Sequence, residues 1–235
     1  MTRRLELPIG LLISQSGSYD AVSRAIHAGA VLAIEEINAS ADRSVAIAPV
    51  SIDPAGRLSG YVDGARAMLQ DHGLKHVMGC YTSSSRKEVL PLFEKADALL
   101  WYPSHYEGFE TSENIVYSGA APNQHIVPLT RHLLRQFGTR GWMVGSNYIW
   151  AWENNRILRE AIAASGGTVL GERYFPVGET DLGDVVEQIV ADRPDFVFTT
   201  LIGQSGFTFL KMLRAAAEEA GINQPLEMPA ASCSL

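Results

Sequence analysis

The sequence predicts an α/β protein whose parallel sheets form two Rossmann-like lobes of similar plan. Three observations predict it. Short apolar runs of strand type alternate with amphipathic helical stretches along the chain, and each run ends in a turn rich in Ser, Asn, Gly or Tyr. The alternation is carried through twice, and the two series meet at Gly119-Ala120-Ala121-Pro122-Asn123. Strands separated by helices pair parallel through right-handed crossovers and are covered on both faces. The lobes expected are residues 1–120 and 121–235, with a hinge between them.

Leu7 to Ser14 reads as a buried strand, and Ser14 to Tyr19 breaks it with turn residues. A helix follows from Asp20 to Asn38, because Val22, Ile26, Ala30, Ala33 and Ile37 recur at helical spacing with Arg24, His27 and Glu35 opposite. Val45 to Ile52 is a strand, Asp53 to Gly56 a turn, and Ser59 to His72 a helix that Gly73 ends. His76 to Tyr81 is the next strand. The serines after it offer helix caps, with Ser85-Arg86-Lys87-Glu88 spelling a capping box. Ala98 to Tyr102 and Asn114 to Ala121 complete the first series. The second series runs helix His125–Phe137, strand Gly141–Gly145, aromatic turn Ser146–Trp150, helix Glu153–Ala164, strand Val169–Phe175 and helix Leu182–Asp192. Strand Asp195–Leu201, turn Gly203–Gly206 and helix Phe207–Ala220 follow, and Leu226 to Ala231 begins a further strand.

Composition narrows the function classes. A hydrophobic fraction of 46% with 19% charged residues is that of a globular chain, and a formal charge of -7 argues against direct nucleic-acid binding. No apolar stretch nears the roughly 20 residues of a membrane helix, so membrane insertion is not expected. Leu7 to Ile13 is too short for the core of an export signal, which points to the cytoplasm; a start lying upstream would make the protein periplasmic. Cys80 and Cys233 stand alone. Neither a disulfide framework nor a metal site is suggested, and no cofactor is expected. A dinucleotide fingerprint fails because Ser14 to Ser18 holds a single glycine, and there is no Walker loop. Gly203-Gln204-Ser205-Gly206 has its second glycine one place too early for a nucleophile elbow.

The residues that carry a site lie at strand ends. A helix starting after Tyr81 aims free N–H groups at whatever sits above the strand, able to hold an anion or a carbonyl oxygen. The next strand delivers Tyr102, Ser104, His105 and Tyr106 to the same edge, where open α/β sheets take their ligands. Two aromatics and several hydroxyls with no obligatory charge suit a small, neutral, polar ligand. The other reading is that the serines cap and the tyrosines pack. Tyr148, Trp150 and Trp152 crowd the turn that opens the second lobe and read as a wall of the site.

At these residues a resemblance enters. The runs Gly79 to Lys87, Trp101 to Glu110 and Asn114 to Gln124 resemble the amide-binding branch of the type I periplasmic-binding-protein family. Gly145 to Ile149 and Thr199 to Gly203 are also in register. Within that branch the chain is most similar to cytoplasmic amide sensors that negatively regulate amidase operons, and it shares much with short-chain amide and urea receptors of ABC transporters. The resemblance implies that the chain is not an enzyme, and that a small amide such as acetamide, or urea, is held between two lobes. By position its ligand-binding residues are Tyr81, Ser83, Tyr102, Ser104 and Tyr148, with His105, Trp150 and Gly203 beside them. An antiterminator-type partner and a homodimer through the first lobe are implied in the same way. Family members continue past residue 235, so a C-terminally incomplete fold is expected. Competing readings are a transport receptor for urea, short amides or branched-chain amino acids, and an amino-acid receptor using Glu107 or Glu153 for the ammonium. A third is an amidohydrolase using Ser83 or Ser205 with His105.

Overall fold

The computed structural model describes residues 4–224 and 226–233. They fall into two compact units, Met1–Ala120 and Ala121–Leu235. In the first, β1 (Leu5–Leu12), β2 (Val45–Ile52), β3 (His76–Gly79), β4 (Leu99–Tyr102) and β5 (Ile115–Tyr117) form a sheet in the order β2-β1-β3-β4-β5. Every pairing is parallel. Three helices, α1 (Asp20–Ala39), α2 (Leu58–Arg66) and α3 (Ser83–Ala96), connect the strands. A π-helical turn, Ala67–Asp71, prolongs α2 and closes with the His72 N–H on the Ala67 carbonyl at 3.0 Å.

Successive residues of β1 serve opposite faces of the sheet, as the pleat requires. Leu11 and Ile13 pack with Ala30 and Ile34 of α1. Leu12 and Gly10 face the other way. A Cβ on Gly10 would lie 2.7 Å from Met68 Sδ, and one on Gly64 would lie 2.6 Å from Leu12 Cδ1. The α2 segment therefore rests directly on β1, and the glycines permit that approach. On α1 the burial departs from the expected face: Ile34 is buried and Ala33 exposed. Ala33 and Ile37 border an apolar hollow of about 610 Å³ with Leu7, Ile9, Met78 and Trp101. None of the strand-end residues singled out above lines it.

The second unit holds β6 (Arg140–Ser146), β7 (Thr168–Phe175), β8 (Phe196–Thr200) and β9 (Ala230–Ala231) in the order β7-β6-β8-β9, again parallel. Its helices are α4 (Ile126–Gln136), α5 (Ile149–Ala164), α6 (Gly183–Asp192) and α7 (Gln204–Glu219). Alternation along the central strands builds two separate cores. Trp142, Val144 and Val197 join Val186, Ile189, Phe209 and Leu213 of α6 and α7. Met143, Phe196 and Phe198 join Ile126, Leu133, Leu158 and Ile162 of α4 and α5.

Several boundaries differ from the expectation. The cap of α3 is Thr82, whose Oγ1 accepts the Ser85 N–H at 3.1 Å, so the capping box expected at Ser85 does not form. Ser85 is buried inside the first turn, with its own hydroxyl donating to the Thr82 carbonyl at 2.8 Å. Helix α5 begins at Ile149, four residues ahead of the expected Glu153, because Trp150 and Ala151 are buried and turn inward with Leu158. Helix α7 begins at Gln204, and of the strand expected from Leu226 only Ala230–Ala231 is extended; Pro225 lies outside the described residues.

Candidate ligand-binding site

In each sheet the strand order reverses beside the first strand of the unit, and ligands of open α/β sheets bind outside the carboxyl ends at such a point. The first unit reverses between β1 and β3. There β1 delivers Ser14, Gln15 and Ser16, and β3 delivers Cys80, Tyr81, Thr82 and Ser83. The N–H groups of Ser83 and Ser84 open α3 and have no acceptor within the helix, so they face that edge as donors. The second unit reverses between β6 and β8, which deliver Ser146, Asn147 and Tyr148, and Leu201, Ile202 and Gly203.

The loop after β1 is held by Asp53. Its Oδ1 accepts the Gln15 N–H at 2.9 Å and the Ala55 N–H at 2.8 Å, and its Oδ2 accepts the Ser16 hydroxyl at 2.9 Å. Burial would raise the Asp53 pKa, but the Gln15 and Ala55 bonds outweigh it and hold the carboxyl below its ordinary value. Ser14 is fully buried; its Oγ lies 2.9 Å from Tyr61 Oη and accepts the Gly56 N–H at 2.9 Å. Tyr19 packs its ring 5.4 Å from that of Tyr81. Burial, reinforced by Tyr19, pushes the Tyr81 phenol up to about 12, so it stays neutral.

Between β3 and α3 the backbone passes through Cys80 at φ +62°, a left-handed conformation that non-glycine residues seldom adopt. The residue is buried, and its thiol is pushed up to about 12 chiefly by that burial. Burial likewise pushes the Cys233 thiol up to about 12. Both should stay protonated at pH 8 and resist a thiolate-dependent disulfide reagent until the chain unfolds. Rapid labelling of Cys80 in the native protein at pH 8 would contradict this environment.

The residues expected to bind ligand are distributed as follows. Ser83 is 1% exposed, and its hydroxyl donates to Glu107 Oε2 at 2.5 Å. Tyr102 is fully buried and donates to the Tyr81 carbonyl at 2.9 Å, so its phenol braces the loop after β3. Ser104 is buried after β4, where a Cβ on Gly119 would meet its carbonyl oxygen at 2.1 Å. His105 is half-buried beside it. Tyr148 stands at the start of α5 in extended backbone, its ring 6.3 Å from that of Trp150 and nearly parallel to it. Trp150 itself is 1% exposed within the first turn of α5, so it is not the loop residue expected. Gly203 occupies φ +59°, ψ -136°, a conformation open to glycine, and so permits β8 to turn directly into α7. Ser205, the other candidate nucleophile, is buried and accepts the Gly178 N–H at 3.1 Å.

What the sequence did not reveal is a buried ion network under the α3 terminus. Arg86 is fully buried, donating from Nε to Glu110 Oε1 at 2.6 Å and from Nη2 to Glu107 Oε1 at 3.0 Å. Its Nη1 lies 3.4 Å from Ser83 Oγ. Lys87 Nζ reaches Glu110 Oε2 at 2.6 Å and Glu107 Oε1 at 3.3 Å. The guanidinium carbon sits 4.7 Å from the Tyr102 ring centroid and 5.6 Å from those of Tyr106 and Tyr117. Burial works against the charged guanidinium, yet Tyr102, Glu107 and Glu110 together hold its pKa above the ordinary value. For Glu110, burial is outweighed by Lys87 and Arg86, which hold its carboxyl below the ordinary range. Glu107 is therefore occupied by Arg86, Lys87 and Ser83. That corrects its reading as the partner of a ligand's ammonium. The one signal in the sequence is two basic residues closing the serine run and two acids flanking Gly108-Phe109 in the next loop.

Two parallel sheets, each with polar and aromatic residues at its reversal point, define the class of a two-unit α/β ligand-binding protein. The periplasmic binding protein domain family matches residues 7–235, and the chain belongs to it. Among solved structures it is similar to a solute-binding protein of an ABC transporter from Rhodopseudomonas palustris BisB5, in complex with 3,4-dihydroxybenzoic acid. The identity is 15% and the TM-score 0.82 over 97% of this chain and 61% of that one. It is also similar to an amino-acid ABC transporter substrate-binding protein from Pseudomonas fluorescens Pf-5 (18% identity, TM-score 0.73, 94% of this chain and 60% of that one). A leucine-binding protein from Thermotoga maritima MSB8 gives 12% identity and a TM-score of 0.70 over 82% and 55%. The chain thus spans about three-fifths of the length of these proteins. At such identities the likeness establishes the fold, with parallel sheets in two units. Family and neighbours are ligand-binding proteins rather than enzymes.

Proposed function

We propose that this chain is the ligand-binding part of a solute-binding protein serving an ABC importer, taking a small polar ligand of the urea or short-chain amide class. The observation that carries it is the start of α3. Two backbone donors and the Ser83 hydroxyl stand side by side at the β1/β3 reversal point, with no unpaired charge among the side chains that hold them. Membership of the periplasmic binding protein family and likeness to ABC-transporter solute-binding proteins support transport over the regulatory alternative. In that alternative the same ligand would control an antiterminator-type partner. The transport reading places the protein on the periplasmic side.

The test is the thermal midpoint of the chain with urea, acetamide, propionamide, leucine and 4-hydroxybenzoate in turn. A ligand that binds only the native state stabilises it by RT ln(1 + [L]/Kd), about 2.7 kcal/mol at a hundredfold excess over Kd. In a chain of this length that raises the midpoint by roughly 5–10 °C. Urea is used below denaturing concentrations. A rise with urea or an amide is expected, and no rise with any member of the panel overturns the receptor reading.

A further inference from the structure

The hydrogen-bonding capacity of Ser83 decides what it can offer a ligand. A serine hydroxyl has one proton to donate and two lone pairs to accept with. A carboxylate in an ion pair only accepts, so in the 2.5 Å contact with Glu107 Oε2 the proton belongs to Ser83 and points at Glu107. Arg86 Nη1, at 3.4 Å, stands over one lone pair. One lone pair is left, and no proton. To a group that reaches it at the start of α3, Ser83 Oγ therefore offers only an acceptor, beside the Ser83 and Ser84 N–H donors that have no partner within the helix.

Resting on the receptor reading above, we propose that Glu107 is the residue that sets ligand specificity. By holding the Ser83 proton, it makes the site select a neutral ligand with a carbonyl oxygen and an N–H side by side, as in a primary amide or urea, and reject a carboxylate of the same shape. The carbonyl takes the backbone donors and the N–H takes the remaining Ser83 lone pair. A carboxylate oxygen in that second position meets a lone pair and finds no proton to accept. Ser83 is 1% exposed and Glu107 2% exposed, so little water is at hand to supply one. The carboxylic acids and amino acids named with the structural neighbours carry the group this arrangement disfavours.

Acetamide and acetate share one shape and differ in the donor at this position and in net charge, so the change of their affinity ratio between wild type and variant reads the proposal. In the wild-type chain acetamide should bind at least about ten-fold more tightly than acetate, the equivalent of one satisfied hydrogen bond. Glu107→Gln should remove or invert that preference. Arg86 and Lys87 both face Oε1, which obliges the new amide to turn its oxygen to them and its NH2 toward Ser83. Ser83 Oγ then accepts from residue 107 and is free to donate to a carboxylate. A purely structural role for Glu107 would weaken both ligands together and leave the ratio unchanged, which would overturn the proposal. Ser83→Ala removes the acceptor without disturbing the ion pairs, and should weaken acetamide about ten-fold while leaving acetate unchanged. It carries the test if Glu107→Gln does not fold, and an unaltered acetamide affinity there overturns the proposal. Acetate or 4-hydroxybenzoate binding the wild type as tightly as acetamide overturns the proposal and leaves the receptor reading standing. Binding of no panel member removes both.

Discussion

Arg86→Ala lowers the unfolding free energy by about 3–5 kcal/mol, the loss expected when one partner of a buried ion pair is deleted and the other charge stays behind. Two carboxylates depend on this guanidinium. Glu107 and Glu110 are 2% and 10% exposed at the side chain, and removing Arg86 leaves Lys87 as their sole ion-pair partner among the described residues. The cavity adds to the cost, because three tyrosine rings surround the position. Arg86→Lys should recover only part of the loss, since an ammonium cannot reproduce the fork that reaches Glu107 and Glu110 together. Guanidinium chloride unfolding followed by far-ultraviolet circular dichroism measures both variants, urea being a proposed ligand. A loss below about 1 kcal/mol for Arg86→Ala would mean that the network behaves like an exposed ion pair.

Trp142→Ala should cost a similar amount, about 3–5 kcal/mol, through a different cause. The indole is 2% exposed in the core built by α6 and α7, and its Nε1 donates to Asp192 Oδ2 at 2.9 Å. Across the sheet Gly171 lies flat against it, where a Cβ would sit 2.2 Å from the ring. The neighbour opposite thus has no side chain with which to fill the space, and the cavity persists. Gly171→Ala in the Trp142→Ala background should restore part of the stability, whereas in the wild type the same change forces the indole aside. The guanidinium chloride midpoints of the three variants check this, and equal effects of Gly171→Ala in both backgrounds would rule out the packing argument.

These two positions show what was and was not legible. Trp142 lies in the strand read at Gly141 to Gly145, and its burial follows from the apolar run around it. The sequence presents Arg86 only as part of a capping box at Ser85, where a charged residue in a first turn would meet solvent. The cap moved to Thr82, and that shift carries Arg86 inward, to the carboxylates of the loop after β4. Local propensity could not anticipate this, because a buried arginine is tolerated only where two distant acids meet it. Trp150 fails in the same way. Its burial depends on α5 beginning four residues early, which the packing of Ala151 and Leu158 decides.

The sequence by itself determined the α/β class, the parallel strands and which strand ends carry hydroxyls and aromatics. Hydrophobic periodicity and turn chemistry are local properties, and they survive in any context that buries the apolar runs. Only the tertiary structure decided what those hydroxyls can do. Ser83 and Glu107 are 24 residues apart. Whether a serine donates or accepts is settled by the partner that takes its proton, and here β4 brings that partner to α3 once the sheet has formed.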